Sequence, residues 1–424
     1  MTDDRLRICL LTYRGNPRCG GQGIYIRLLS RELAALGHTV DVWSGQPYPE
    51  LLPGVALVKV PSLDLWNDAA LLRWPGFREL RDPINRLEYA QSVTGGFVEP
   101  MTFCMRVARR FGHNGHRDAY DIVHDNQSLG PDLIKVAGHT PVVATIHHPI
   151  TIDRKIGLQS ASSLKQRLGL LRWYTFVPSH VRTARRLDRV ITISDSSARD
   201  LQTEYKLRPE QLRVVGNGIN LEVFGPRPAI ARDPDRIITI LSADAPLKGF
   251  RYLLAALAEL RRSRPALRLT VIGAPGLKSP TRTLIKEHGL ADAIEFTGKV
   301  EFEEIPRRYA AASVAVVPSL YEGFSFPAGE AMACEVPVVA SRAGAIPEVI
   351  GTDGRCGVLV EPRSPAALAR EIGALLDAPE RCREMGKAGR ERVLRHFTWR
   401  KAAERHVEVY REVIAQRREA RVAC

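Results

Sequence analysis

The chain has 424 residues, and 61 Lys and Arg against 47 Asp and Glu give it a formal net charge of +14 at pH 7. At roughly 150 residues per domain, that length suits two to three domains and more than one hydrophobic core. A hydrophobic fraction of 45% with 25% charged residues excludes a mainly disordered or fibrous chain.

In chain order, short apolar runs alternate with helical patterns. Arg7–Tyr13 is strand-like, Tyr25–Leu36 has a helical period, and His38–Trp43 is strand-like again. Ile122–His124, Val142–Ile146, Val190–Ile193 and Leu212–Val215 continue the strand series. Such alternation predicts βαβ units and a parallel sheet covered on both faces. Gly218 to Arg236 holds Pro226, Pro228 and Pro234 and reads as a linker, with Asp233-Pro234-Asp235 a solvated stretch of it rather than a metal motif. A second series follows: Ile237–Leu241, Leu267–Ile272, Ile294–Phe296, Val314–Val317 and Val336–Ala340, with helical patterns at Tyr252–Arg262 and Pro365–Leu376. The prediction is two doubly wound α/β domains of similar size, facing each other across one cleft. Val60 to His116 departs from the alternation and carries Trp66, Trp74, Phe77, Phe97 and Phe103, as either a satellite of the core or a binding loop.

The seven cysteines, Cys9, Cys19, Cys104, Cys334, Cys356, Cys382 and Cys424, are scattered and never form CxxC. That spacing predicts neither a disulfide framework nor a zinc site, and a reducing compartment. The acidic start MTDD is unlike a secretory signal, and no apolar run reaches about 18 residues, so the expected location is cytoplasmic.

The most informative segment is Tyr321–Glu330, YEGFSFPAGE, between a strand and a helix expected at roughly Ala328 to Cys334. Gly323 permits close backbone approach, and Pro327 suits a first helical turn. The amides of Phe324, Ser325 and Phe326 would open from a helix N-terminus, which favours an anion such as a diphosphate. One of the two carboxylates, Glu322 and Glu330, could face a sugar and the other a ribose. A plain strand–helix turn, with an acid stabilised by the helix dipole, explains the same residues.

The run YEGFSFPAGEAMACEVPVVASRAGAIPEVIG resembles the signature of glycosyltransferase family 4: two glutamates separated by seven residues, then EAMACG-P-V-A and G-x-PE, with Glu335 here where the family usually has Gly. The likeness extends over most of the chain, through Gly20–Trp43, Asp121–Asn126, Val142–His148, Ile191–Ser194, Val214–Asn220 and Phe397–Trp399. It implies a GT-B fold of two Rossmann-like domains. Residues 1–218, with the 60–116 insertion, would form the acceptor side and 219–236 the linker. Residues 237–396 would bind the nucleotide sugar, and a helix over 397–424 would cross back to the first domain. By the same resemblance, Glu330 binds the ribose hydroxyls, Glu322 contacts hydroxyls of the donor sugar, and Phe324, Ser325 and Phe326 lie beside that sugar and its phosphates. Lys248 neutralises the diphosphate, with a plain loop cation as the lesser alternative. His147 lines the sugar near the reacting centre, and Gly20, Gly21 and Gly23 let the backbone approach the phosphates. The family's arginine about five residues before the lysine is replaced here, with Ala243 at the aligned position.

The implied activity is a retaining, metal-independent hexosyl transfer from a UDP- or GDP-linked sugar, with no cofactor beyond that donor. The acceptor is unidentified, with a lipid or another cell-envelope glycan precursor as one class. A sugar-nucleotide epimerase, a phosphorylase and a non-catalytic basic binding module are the alternatives. The last arises from the charge: residues 151–189 hold nine cations against Asp153 and Asp188, with Trp173, Tyr174 and Phe176 interleaved. Such a stretch suits the inner face of an anionic membrane, a solvated helical face or, as the weakest reading, nucleic acid. The skew of 50 Arg to 11 Lys could also reflect genome composition.

Overall fold

The computed structural model describes residues 5–15, 21–65, 73–113, 119–161, 163–241, 245–276 and 279–422. It divides into two compact units. The first comprises residues 1–193, 197–215 and 402–424, and the second 194–196 and 216–401.

The first unit is built on a seven-stranded parallel sheet: β1 (Arg7–Thr12), β2 (Thr39–Ser44), β3 (Val55–Lys59), β4 (Ile122–Asn126), β5 (Val142–Ile146), β6 (Arg189–Thr192) and β7 (Leu212–Val214). Their order is β3-β2-β1-β4-β5-β6-β7. β4 and β5 are buried at every position, as expected of parallel strands covered on both faces. β3, VALVK, was not singled out in the sequence: it is a five-residue edge strand with a short apolar run and no fully buried position. Its core centres on Trp43, Phe103, Val107, Phe111 and Tyr205. Of the insertion's aromatics, Phe103 belongs to this core and Phe97 stacks on Trp173 at 4.8 Å. Trp74 and Phe77 are exposed, and Trp66 lies outside the described residues.

The second unit carries a six-stranded parallel sheet: β8 (Asp233–Ile240), β9 (Arg268–Ile272), β10 (Ile294–Phe296), β11 (Ala312–Val317), β12 (Val338–Ser341) and β13 (Val358–Val360). The order is β10-β9-β8-β11-β12-β13. β8 begins at Asp233, inside the segment read from sequence as linker. Asp233 is not simply solvated: it accepts from the Asp235 amide at 3.0 Å and pairs with Arg236. The short edge strand β13 was also missed in the sequence. Helix Phe250–Leu260 buries Phe250, Leu253, Leu254 and Leu257 on the sheet.

The helix Trp399–Val422 closes the chain, and from Ala402 onward it belongs to the first unit. A buried polar chain holds it there, and donor and acceptor can be assigned at each link. His406 Nδ1 faces the Ala402 carbonyl at 2.7 Å, so Nδ1 donates and Nε2 accepts from the Tyr25 hydroxyl at 2.7 Å. Tyr25 therefore accepts from Thr145 Oγ1 at 2.9 Å. Thr145 in turn accepts from His124 Nε2 at 2.7 Å, which leaves His124 Nδ1 to accept from the Tyr410 hydroxyl at 2.6 Å. Every member is buried, and burial holds both imidazoles neutral, His406 at about 4 and His124 well below its ordinary value. The chain is satisfied without any ionised group, which is the condition under which a buried network stabilises rather than costs.

Candidate active site

Both sheets reverse strand order once, between β1 and β4 and between β8 and β11. In open α/β sheets, ligands bind outside the carboxyl ends of strands at such switch points. The candidate residues fall beside these two places.

In the second unit, the loop after β8 carries Lys248 and the loop after β11 carries Glu322. Lys248 Nζ donates to Glu322 Oε1 at 2.9 Å, and Ser319 Oγ donates to the same oxygen at 2.7 Å. Two glycines make this closeness possible. Gly249 has φ +63°, and a Cβ there would stand 1.9 Å from the Pro318 carbonyl oxygen. The Leu320 amide bonds the Leu247 carbonyl at 2.7 Å, so the two loops lie flush. On the other side, a Cβ on Gly344 would meet the Glu322 carbonyl oxygen at 2.3 Å, which leaves room for the Ala345 amide to donate to it at 2.9 Å. Glu322 is thus held by its backbone and by its side chain.

The helix after this loop is Phe326–Ala333, starting two residues before the sequence placed it. Ser325 caps it in the left-handed region (φ +83°, ψ +69°), a conformation that costs a non-glycine residue of order 1 kcal/mol and clusters at functional sites. Its Oγ is buried without a hydrogen-bond partner. Phe324 is buried between Phe326 and Phe397, at 5.2 and 5.7 Å. Glu330 lies one turn inside the helix, 7% exposed. Burial pushes its carboxyl up to about 8.

In the first unit, His147 follows β5. Its backbone N–H donates to Gln127 Oε1 at 2.8 Å, and its Nε2 faces Asn126 Oδ1 at 2.7 Å. Asn126 Nδ2 donates to the Gln22 carbonyl at 3.3 Å, which fixes the amide's orientation. Nε2 must then carry the proton, leaving Nδ1 as the basic nitrogen. Burial, then the charges of His148 and His406, depress His147 to about 3. The Tyr25 ring meets it edge to face at 4.8 Å. Gly21 and Gly23 are not loop residues: they form the first turn of helix Gly21–Ala35. Gly20 and Ala243 lie outside the described residues.

Ser319, Asn126, Gln127 and Tyr25 were not singled out in the sequence. Asn126, Gln127 and Tyr25 act on partners 20 or more residues away in the chain, whereas Ser319 acts on Glu322, three residues on. Among the described residues, no group of three or more His, Cys, Asp or Glu side chains is arranged to hold a metal, and no helix is long and apolar enough to cross a membrane.

Two doubly wound units, each with candidate residues beside its switch point, are the architecture of the GT-B fold. The comparisons agree: the family model described as Glycosyltransferase Family 4 matches residues 19–223, and that described as Glycosyl transferases group 1 matches 227–392. The chain belongs to glycosyltransferase family 4. It is 46% identical to the MMP alpha-(1->4)-mannosyltransferase of Mycolicibacterium hassiacum, across 97% of this chain and 99% of the relative. It is 30% identical to a D-inositol 3-phosphate glycosyltransferase of Geodermatophilus obscurus, across 93% and 85%. Among solved structures, sucrose-phosphate synthase from Thermosynechococcus elongatus matches with a TM-score of 0.74 at 26% identity, covering 97% and 100% of the two chains. Anabaena HepE, solved with UDP and glucose, shares the fold with a TM-score of 0.69 at 18% identity, covering 96% and 99%.

Proposed function

We propose that the chain is a retaining α-mannosyltransferase that moves mannose from a UDP- or GDP-linked donor onto a mannoside acceptor, without a metal ion. The observation that carries the chemistry is the Lys248–Glu322 pair at the β8/β11 switch point, beside the Phe326–Ala333 helix end. Negative charge builds on the leaving diphosphate as the bond to the sugar breaks. A fixed cation and free helix-end amides stabilise it there. In this reading Glu322 contacts the sugar hydroxyls, Glu330 binds the ribose diol, and His147 lines the sugar. Gly20, Gly21, Gly23 and residues Phe324–Phe326 contact the donor. The acceptor hydroxyl replaces the diphosphate on the same face of the sugar, so no carboxylate serves as nucleophile. The choice of mannose rests on the 46% identical relative. Incubating the protein with GDP-mannose, UDP-mannose, UDP-glucose and GDP-glucose plus methyl α-D-mannoside should yield a disaccharide from one mannosyl donor, at the same rate in EDTA. Product from a glucosyl donor alone, or from none, would refute the assignment.

A second proposal concerns where the enzyme works. Helix Leu164–Trp173 exposes Leu164, Leu168 and Leu171 as one stripe, with exposed Lys165 and Arg167 beside it. Other cations of the 151–189 stretch are engaged inside the unit: Lys155 pairs with Glu204, Arg189 with Glu412, and Arg172 bonds Gln91. The basic face is therefore narrower than its sequence suggests, with Lys165 and Arg167 on this helix and Arg182, Arg185 and Arg186 exposed on helix Val177–Arg186. Its composition suits the surface of an anionic bilayer. Co-sedimentation with phosphatidylglycerol vesicles should be strong at low salt and lost in Leu168→Glu; wild-type protein left in the supernatant at low salt discards the idea.

A further inference from the structure

Two consecutive side-chain amides serve His147, and each holds a different part of it. Asn126 ends β4, beside Thr145 of β5 in the strand register and at the β1/β4 switch point. Its Oδ1 faces the imidazole Nε2 at 2.7 Å. Gln127, the next residue, holds the backbone. Its Oε1 accepts from the His147 N–H at 2.8 Å, and its Nε2 donates to the His148 carbonyl at 3.1 Å. Gln127 has φ +56°, a left-handed conformation that is unfavourable for a residue with a side chain and concentrates at functional sites. Both amides are buried.

Asn126 cannot turn round. Its Nδ2 donates to the Gln22 carbonyl at 3.3 Å and to Thr12 Oγ1 at 3.4 Å. The Thr12 hydroxyl proton is engaged by the Arg14 carbonyl at 2.7 Å, so Thr12 can only accept from Asn126. A flipped amide would set its oxygen against a carbonyl and against a hydroxyl whose proton is already taken. Nε2 of His147 therefore carries the ring proton and Nδ1 the lone pair. Nδ1 has no protein partner, yet it is not sealed in the interior as the two ring nitrogens of His180 are. Around the ring stand Tyr25 on helix Gly21–Ala35, His124 on β4, His148 beside it and His406 on the last helix. His124 and His406 are neutral, and His148 is engaged by Asp153 at 2.7 Å. None of the groups facing the ring is a carboxylate, so nothing there favours an imidazolium.

The charge of this ring matters to the reaction. As the bond to the diphosphate breaks, positive charge develops on the sugar. A protonated imidazole beside it would oppose that charge, whereas a neutral ring with an exposed lone pair does not. Resting on the place proposed above for His147 beside the transferred sugar, we infer that Asn126 is a positioning residue for transfer. It keeps His147 uncharged, with Nδ1 as a hydrogen-bond acceptor for a hydroxyl of that sugar, while Gln127 holds the backbone that carries the ring. A neutral imidazole locked in this tautomer accepts at Nδ1 and cannot donate there, so it selects a hydroxyl over a phosphate oxygen.

The test uses the whole protein, saturated with its mannosyl donor and with methyl α-D-mannoside as acceptor. In Asn126→Asp the amide oxygen becomes a carboxylate, which favours a charged ring and raises the pKa of His147. The ratio of variant to wild-type kcat should fall about tenfold per pH unit below that new pKa and level off above it. Taking the ratio removes ionisations common to both proteins, Glu330 among them. Asn126→Leu brings no charge, so it should be slower by about tenfold, the loss of one aligned hydrogen bond, at every pH. If Asn126→Asp fails to fold, the wild type decides by proton–nitrogen NMR correlation, with His147→Gln to assign the signals. At about pH 6 the ring should be neutral and protonated at Nε2. A charged ring, a proton on Nδ1, or an Asn126→Asp ratio constant from about pH 6 to 9 overturns the inference and leaves mannosyl transfer intact. Wild-type turnover in His147→Gln overturns the place of His147 beside the sugar, and the inference with it.

Discussion

Lys248→Ala should lower turnover by about 100- to 1,000-fold, the range for removing one group that stabilises developing charge. The lysine's ammonium is held at 2.9 Å from Glu322, in a pair whose side chains are only 22% and 13% exposed. Water screens it poorly, so the ammonium keeps part of its field at a bound diphosphate despite the Glu322 carboxylate beside it. With Ala243 standing where the family resemblance places an arginine, that position supplies no second cation. Lys248 sits in a short turn and contributes nothing to the hydrophobic core, so the variant should melt close to the wild type. Donor KM should move far less than kcat, because the charge builds mainly in the transition state. Steady-state rates on the mannosyl donor decide: kcat within about twofold of wild type would remove Lys248 from the chemistry.

Glu330→Ala should weaken donor binding by about 10- to 100-fold, the loss expected when charge-assisted bonds to a diol disappear. The larger consequence is on pH. Burial raises this carboxyl to about 8, so the empty protein carries it protonated at neutral pH. Tyr309 and Cys334 also lie within its field, and both are held neutral by burial. A carboxylate accepts from both ribose hydroxyls only when ionised, so binding lowers its pKa and releases a proton. Affinity should therefore rise with pH, by up to about tenfold per unit, and level off above pH 8. Calorimetry at pH 7 in two buffers of different ionisation enthalpy should show close to one proton released in the wild type and none in Glu330→Gln. Equal release in both would mean that Glu330 does not meet the ribose.

Strands β5, β9 and β11 were legible because parallel strands buried on both faces read as near-continuous apolar runs, whereas in β4, IVHDN, only Ile122 and Val123 are apolar. β3 and β13 were not: each is a short, partly exposed edge strand with only VALV or VLV as its apolar run. The loop holding Glu322 and the helix holding Glu330 could be placed from local features alone: Gly323 and Pro327 sit at fixed distances from the two acids. Those are constraints of neighbouring residues, and a sequence states them directly.

What joins residues far apart in the chain was decided only by the tertiary structure. Lys248 meets Glu322 because Gly249 lets one loop lie flush on Pro318. The proton on His147 is fixed by Asn126, whose own orientation depends on Gln22. Arg106 reads in sequence as one of many arginines on a helix, and only packing shows it buried with a nitrogen unpaired. The sequence by itself determined the two-sheet architecture, the family and the placing of Glu322 and Glu330 in one loop and helix, since each depends on local pattern. The tautomers and the pairing of charges depend on distances between elements, and those exist only once the chain has packed.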